Sequence, residues 1–91
     1  MTKQKMIEVI KQDIESASGY RYNSVKLAEI INAGIVPDGT VIALDNESKI
    51  VLEGNEIVAY ENGEENNRMA YEGEMADRLL MMYAQIECKK F

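Results

Sequence analysis

The chain has 91 residues, of which 46% are hydrophobic and 29% charged, and its 16 acidic side chains outnumber its 10 basic ones to give a formal charge of −6. A chain of this length supports one modest core, which excludes a large enzyme scaffold such as a (β/α)₈ barrel or a dinucleotide-binding double unit. We therefore expect one small soluble domain over residues 1–91.

Two helices are predicted at the start of the chain. Residues 3–17 carry isoleucines at helical spacing on one stripe, with Lys, Gln, Asp and Glu around it. Ser24 is a suitable N-cap for a second helix over residues 24–33, and Gly34 is suitable to close that helix.

Three short strands are predicted next, because Val, Ile and Tyr are concentrated between turn residues. The strands are expected at 40–44, 49–53 and 56–61. Gly54-Asn55 is a two-residue hairpin signal between the second and third strands, and Asn62-Gly63 is expected to close the antiparallel meander. Apolar side chains occupy both faces of these strands, so we expect something to cover the second face as well.

A long C-terminal helix is predicted over residues 67–89 and is expected to pack on the meander. Gly73 weakens the interior of this segment, so the helix is expected to start at Glu74 or to bend there. The run from Leu79 to Ala84 is apolar on every side of the helix, which is more than one buried face requires. The fold class is therefore α+β, in the order α-α-β-β-β-α with a three-stranded sheet.

Several absences limit the compartment and the chemistry. The sequence has no His, one Cys, no secretory signal pattern and no apolar stretch long enough to span a bilayer, so a cytoplasmic protein is expected. Without His, acid–base chemistry would need carboxylates, Tyr, Lys or Cys with shifted pKa values, and the carboxylate pairs lie in segments polar enough to be solvated. No catalytic residue, cofactor or metal site is predicted.

Cys88 is the single thiol, and Lys89 and Lys90 follow it directly. Two nearby lysines favour a thiolate, whereas a place on the last helical turn favours a partly buried filler of the core. The second interpretation is preferred, and the chain is predicted not to be an enzyme.

The acidic charge is concentrated in one part of the chain. Residues 1–36 carry a net charge of +1 and residues 37–91 a net charge of −7. The net −8 of residues 45–77 equals the charge on about 14 Å of duplex DNA. The prediction is a non-enzymatic protein-binding or inhibitor module that acts as a nucleic-acid mimic and occupies a basic, nucleic-acid-type site on a partner protein. A phage or mobile-element origin is the base-rate expectation for a short stand-alone protein of this kind. The residues predicted for this acidic surface are Asp45, Glu47, Glu53, Glu56, Glu61, Glu64, Glu65, Glu72 and Glu74.

Two alternatives stay open. The first is a structural or regulatory homodimer built on the C-terminal helix, with the acids only solvating it. Its predicted interface is Leu79, Leu80, Met81, Met82 and Tyr83. The second is a winged-helix DNA binder, but the helix at 24–33 offers only Lys26 and Asn32 to a groove and the net charge repels phosphate. Direct nucleic-acid binding is therefore not expected.

Residues 27–35, leading into Asp38-Gly39-Thr40, resemble the helix-to-hairpin opening of modules attached to restriction adenine methyltransferases. The small-residue and aromatic signatures that follow in those modules are missing from this chain. No function is carried over from the resemblance.

Overall fold

The computed structural model describes residues 1–18 and 21–89 and contains three helices and four strands. The helices are α1 (Lys3–Ser18), α2 (Ser24–Ala33) and α3 (Gly73–Lys89). The strands are β1 (Val41–Ala43), β2 (Ser48–Glu53), β3 (Glu56–Glu61) and β4 (Glu64–Ala70). Within the described ranges no helix is long and apolar enough to cross a membrane.

The predicted α+β class is confirmed, but the sheet has four antiparallel strands instead of three. The additional strand, β4, takes residues 67–70 from the segment predicted as helix, and α3 begins only at Gly73. The cause is the turn at Asn62-Gly63, where both residues have positive φ, 54° and 82°. Positive φ at both central positions defines a type I′ turn, which returns the chain as a new strand instead of ending the sheet.

The remaining boundaries lie close to those predicted. The second helix and the third strand have the predicted bounds, and Gly34 closes α2 in the left-handed conformation, with φ 66°. The N-cap prediction was wrong by one residue, because Asn23 and not Ser24 caps α2. The Oδ1 atom of Asn23 accepts a hydrogen bond of 3.0 Å from the backbone N–H of Lys26.

The strands form a meander in the order β1-β2-β3-β4, and each strand pairs with its neighbour in the chain. The register places Ile42, Leu52 and Ile57 on the face that meets the helices, and all three side chains are buried. We call the opposite face of the sheet the outer face. This arrangement leaves the three helices on one side of the sheet.

The core lies between the helices and the inner face of the sheet. It joins buried side chains of all three helices to those of the strands. The helices contribute Met6, Ile10, Ile14, Leu27, Ile31, Leu79, Leu80, Ala84 and Cys88. The first and last parts of the chain meet within the helical layer, where the backbone N–H of Asn23 donates to the carbonyl of Cys88 at 3.3 Å. An ion pair of 3.7 Å between Lys26 and Glu87 lies beside this contact.

Candidate binding surface on the outer face and turns of the sheet

Two rows of side chains cross the outer face of the sheet. The strand register aligns Val41, Val51, Val58 and Arg68 in one row, and Ala43, Lys49, Tyr60 and Glu65 in the next. Val58 has 0% exposure although its strand neighbour Ile57 points into the core on the opposite face. Since the helices lie on that opposite side, the surrounding outer-face side chains must cover Val58. Long charged side chains can do so with their aliphatic stems.

Arg68 is the centre of a charge cluster on this face. Its guanidinium contacts the carboxylates of Glu65 at 2.6 Å, Glu56 at 3.3 Å and Glu53 at 3.8 Å. The hydrogen bond from Arg68 lowers the pKa of the Glu65 carboxyl, and the same bond raises the pKa of Arg68. We call these four residues the Arg68 cluster.

Tyr60 connects the Arg68 cluster to Lys49. The Tyr60 hydroxyl donates a 2.8 Å hydrogen bond to Glu53, and this bond raises the pKa of the phenol. The ammonium of Lys49 lies 5.4 Å from the centre of the Tyr60 ring, within cation–π range. The sequence predicted that something covers the second face of the sheet as well. Within the described residues, the core shared with the helices does not include these outer-face side chains, so the covering of this face is the network of side chains itself.

Two turns meet at one end of the sheet. The backbone N–H of Asn62, in the β3–β4 turn, donates a 2.8 Å hydrogen bond to the carbonyl of Glu47, in the β1–β2 turn. The β1–β2 turn is itself fixed by Asp45, whose Oδ1 accepts from the N–H groups of Glu47 and Ser48, both at 2.7 Å. These backbone hydrogen bonds lower the pKa of the Asp45 carboxyl, so Asp45 stays ionised.

The nine acids predicted as one surface separate into three groups. Glu53, Glu56 and Glu65 belong to the Arg68 cluster. Glu72 and Glu74 lie at the start of α3, where Glu74 pairs with Arg78 at 3.1 Å. The other four acids lie in or beside the two joined turns, and none of them pairs with a basic side chain of the described chain. We call this group, Asp45, Glu47, Glu61 and Glu64, the acidic end.

A shallow depression of about 350 Å³ runs from the acidic end along β1 on the outer face. Its floor and sides include Val41, Ala43, Lys49 and Tyr60, together with the turn 45–48. Val41 is 55% exposed. Sequence reasoning did not select these apolar and aromatic residues as functional. The signal for them in the sequence is the apolar pattern on both faces of the strands, which by itself predicts that both faces are covered.

The predicted dimer residues differ in their accessibility. Leu79 and Leu80 are buried in the core of the chain itself, so they are not available to a second copy in this conformation. Met81, Met82 and Tyr83 are partly buried. A groove of about 410 Å³ lies between α3 and the sheet. It is lined mainly by Ile50, Ile57, Met75, Leu79, Met81 and Met82, with Asp13, Arg78 and Gln85 among them.

The remaining candidates for chemistry are metal-binding side chains and the thiol of Cys88. Among residues 1–18 and 21–89, no group of three or more Cys, Asp or Glu side chains could hold a metal ion. Cys88 is buried, and burial raises the pKa of its thiol. Lys89 is exposed, and Lys90 lies outside the described residues. Comparison with protein families, with curated proteins and with solved structures finds no match.

Proposed function

We propose that this protein is a non-enzymatic binding module that holds a basic segment of a partner protein against the acidic end of its sheet. The observation that carries the proposal is the hydrogen bond from Asn62 to Glu47, because it holds the two acidic turns side by side. Four carboxylates without a basic partner in the described chain are thereby concentrated at one end of the meander.

The electrostatics of this end favour a cationic partner. The Debye length is about 8 Å at physiological ionic strength, so charges in adjoining turns act together on an approaching Lys or Arg. Such charges mainly steer association and select the partner, and their effect falls with salt. A protein surface that binds nucleic-acid phosphates carries Lys and Arg side chains. The carboxylates of the acidic end could occupy such a surface in place of the phosphates, as in an inhibitor that imitates nucleic acid.

A charge-reversal experiment tests the proposal. The probe is a short synthetic peptide of alternating lysine and valine, titrated calorimetrically into the protein at low and at physiological salt. Glu47 and Glu64 are changed to Lys together, because both side chains are exposed and the turn hydrogen bond of Glu47 uses its backbone. We expect affinity to fall about tenfold or more, since each reversal replaces an attraction by a repulsion.

The matched control reverses the same charge elsewhere. Glu8 and Glu29 are exposed on α1 and α2, so changing both to Lys alters the net charge equally on the helical side of the molecule. This variant is expected to bind the peptide nearly as well as the parent protein. Equal weakening in both variants, or binding that is insensitive to salt, would overturn the proposal.

A homodimer through α3 is the second candidate, and the groove of partly buried methionines beside α3 favours it. Methionine side chains adapt their shape to a partner more readily than branched side chains do. Sedimentation equilibrium at micromolar concentration tests this candidate. A dimer that Met82→Glu dissociates supports it, and a monomer at every concentration removes it.

A further inference from the structure

One edge of the sheet, formed by β1, is open. The carbonyl of Thr40 accepts from the N–H of Leu52, and the N–H of Leu44 donates to the carbonyl of Ser48. Because hydrogen-bonding direction alternates along a strand, the N–H and C=O groups of Val41 and Ala43 point away from β2. No further strand of the described chain lies beside them.

The opposite edge, formed by β4, is protected. The backbone N–H of Arg68, which points out from that edge, donates to the Oδ1 atom of Asn67 at 2.9 Å. Most residues of β4 are polar or charged, and its pairing with β3 has an irregularity at Ala59/Tyr60. Polar side chains and bulges are the devices that prevent an edge strand from pairing with another chain.

The β1 edge has apolar side chains in place of such protection. Val41 is 55% exposed, and Leu44, which directly follows the strand, is 56% exposed. The strand itself, Val41–Ala43, contains no charged residue and no Pro. Open backbone groups flanked by exposed apolar side chains are the features that a strand-adding partner uses.

We propose that β1 accepts an extended segment of a partner protein as a fifth strand, and that this segment alternates apolar residues with Lys or Arg. This inference rests on the proposed function and specifies how the partner binds. The segment's backbone pairs with Val41 and Ala43. Because side chains alternate along a strand, its apolar side chains lie on the inner side of the sheet, beside the exposed Leu44. Its basic side chains lie on the outer side, where Asp45 and Glu47 line the far end of the depression.

The negative charge beside β1 favours a basic segment over a second copy of this acidic chain. If two β1 strands paired antiparallel around Ile42, the Asp45 turn of each copy would lie beside Asp38 or Gly39 of the other. Asp45 of one copy would then lie next to Asp38 of the other at both ends of the new pairing, and like charges this close repel each other. A basic segment meets the same carboxylates with opposite charge.

Two proline substitutions test the strand addition. Ala43→Pro removes an outward N–H from β1 and leaves every hydrogen bond between β1 and β2 in place. Ala70→Pro is the matched control, because Tyr71 bonds to Asn55 and so sets the N–H of Ala70 outward on the β4 edge. Both alanines are exposed on edge strands. The lysine–valine peptide is titrated into each variant, and amide hydrogen exchange of the parent protein is followed by NMR with and without peptide.

We expect Ala43→Pro to weaken peptide binding about tenfold or more and Ala70→Pro to leave it within about twofold. In the parent protein the peptide should slow amide exchange at Val41 and Ala43. If Ala43→Pro lowers the unfolding midpoint, Val41→Lys is used in its place, since a charge at this edge repels the basic segment without touching the backbone. Val41→Lys is then expected to weaken binding to a similar extent.

The outcomes separate the two proposals. Strand addition is overturned if the peptide still binds to both Ala43→Pro and Val41→Lys but not to the variant with Glu47 and Glu64 reversed. That result leaves the proposed function standing. Binding that is insensitive to that reversal overturns the proposed function. A dimer that dissociates in Ala43→Pro, with no peptide binding by the parent protein, identifies a second copy as the occupant and overturns strand addition by a basic partner.

Discussion

Val58 and Arg68 lie directly opposite each other on β3 and β4. Val58 is fully buried on the outer face, and Arg68 forms ion pairs with three glutamates. The pairing gives Arg68 two roles. Its stem helps to cover Val58, and its guanidinium neutralises part of the surrounding negative charge.

The two roles of Arg68 are separable by Arg68→Met, which keeps an apolar side chain and removes the charge. We expect a lower urea midpoint at low salt, because Glu53, Glu56 and Glu65 then repel one another. Added salt should restore much of the loss by screening that repulsion. The pKa of Glu65, read by NMR, should rise in this variant. A loss of stability that is the same at all salt concentrations would assign Arg68 to packing alone.

Val58 provides a second prediction, with Val41 as its matched control in the same row of the sheet. Val58→Ala should lower the free energy of unfolding by about 2 kcal/mol, because it opens a cavity in a fully buried site. Val41→Ala should change it by less than about 0.5 kcal/mol, because Val41 is already largely exposed. If urea titrations give equal losses of unfolding free energy for the two variants, the conclusion that outer-face side chains cover Val58 is contradicted.

The second helix and the β2–β3 hairpin could be predicted because their ends carry strong local signals. Gly34 and Gly54-Asn55 interrupt the chain where the structure turns, so the bounds of α2 and β3 follow from the sequence. The fourth strand was missed because Glu64-Glu65-Asn66-Asn67 has low strand propensity and carries no apolar alternation. Asn62-Gly63 was the signal for it, since this pair favours a hairpin over a closing turn.

The sequence predicts which acids belong to the candidate surface. It does not predict how they separate into the Arg68 cluster, the acidic end and the start of α3. The sequence places most acids after residue 45, yet only the strand register decides that Glu65 joins Arg68 while Glu64, its neighbour, points to the acidic end. Because side chains alternate along a strand, one residue of register moves a carboxylate to the other face. The contact between the turns of Glu47 and Asn62 also depends on all four strands being aligned.

A third prediction concerns the cap of α2. Asn23→Ala should lower the free energy of unfolding by about 1 kcal/mol, because it removes the acceptor for the N–H of Lys26. Ser24→Ala should have little effect, since Ser24 is the first helical residue and Ala is a good helix former. Thermal unfolding of the two variants decides between them. A larger loss of stability in Ser24→Ala would identify Ser24 as the N-cap, as the sequence predicted.

The fourth prediction is a pH dependence at Asp45. Its pKa is lowered in the folded protein, so its ionised form stabilises the fold above the ordinary carboxyl value of about 4. That contribution is lost as the pH falls through the lowered folded value. Asp45→Asn keeps an acceptor oxygen and removes the charge, so it should be less stable than the parent protein at neutral pH and approach it below about pH 4. Urea midpoints across this range check the convergence, and a constant difference would contradict it.

The fifth prediction concerns Cys88. The thiol has 0% exposure and burial raises its pKa, so a thiol reagent should react with it slowly at neutral pH. The reaction rate should increase with urea in step with unfolding. The reference is the same thiol in fully unfolded protein. Rapid modification of the folded chain would show that the last turn of α3 opens locally.

The meeting of Asn23 with Cys88 has a consequence for the order of folding during synthesis. The four strands pair only with their sequence neighbours, so the sheet can assemble from local hairpins as the chain is extended. The helical layer cannot assemble in this stepwise way, because α1 and α2 need α3 to bury their apolar sides. During synthesis, α1 and α2 therefore keep their isoleucines uncovered until α3 has been made. Apolar surface that is exposed during this interval makes the nascent chain prone to aggregation.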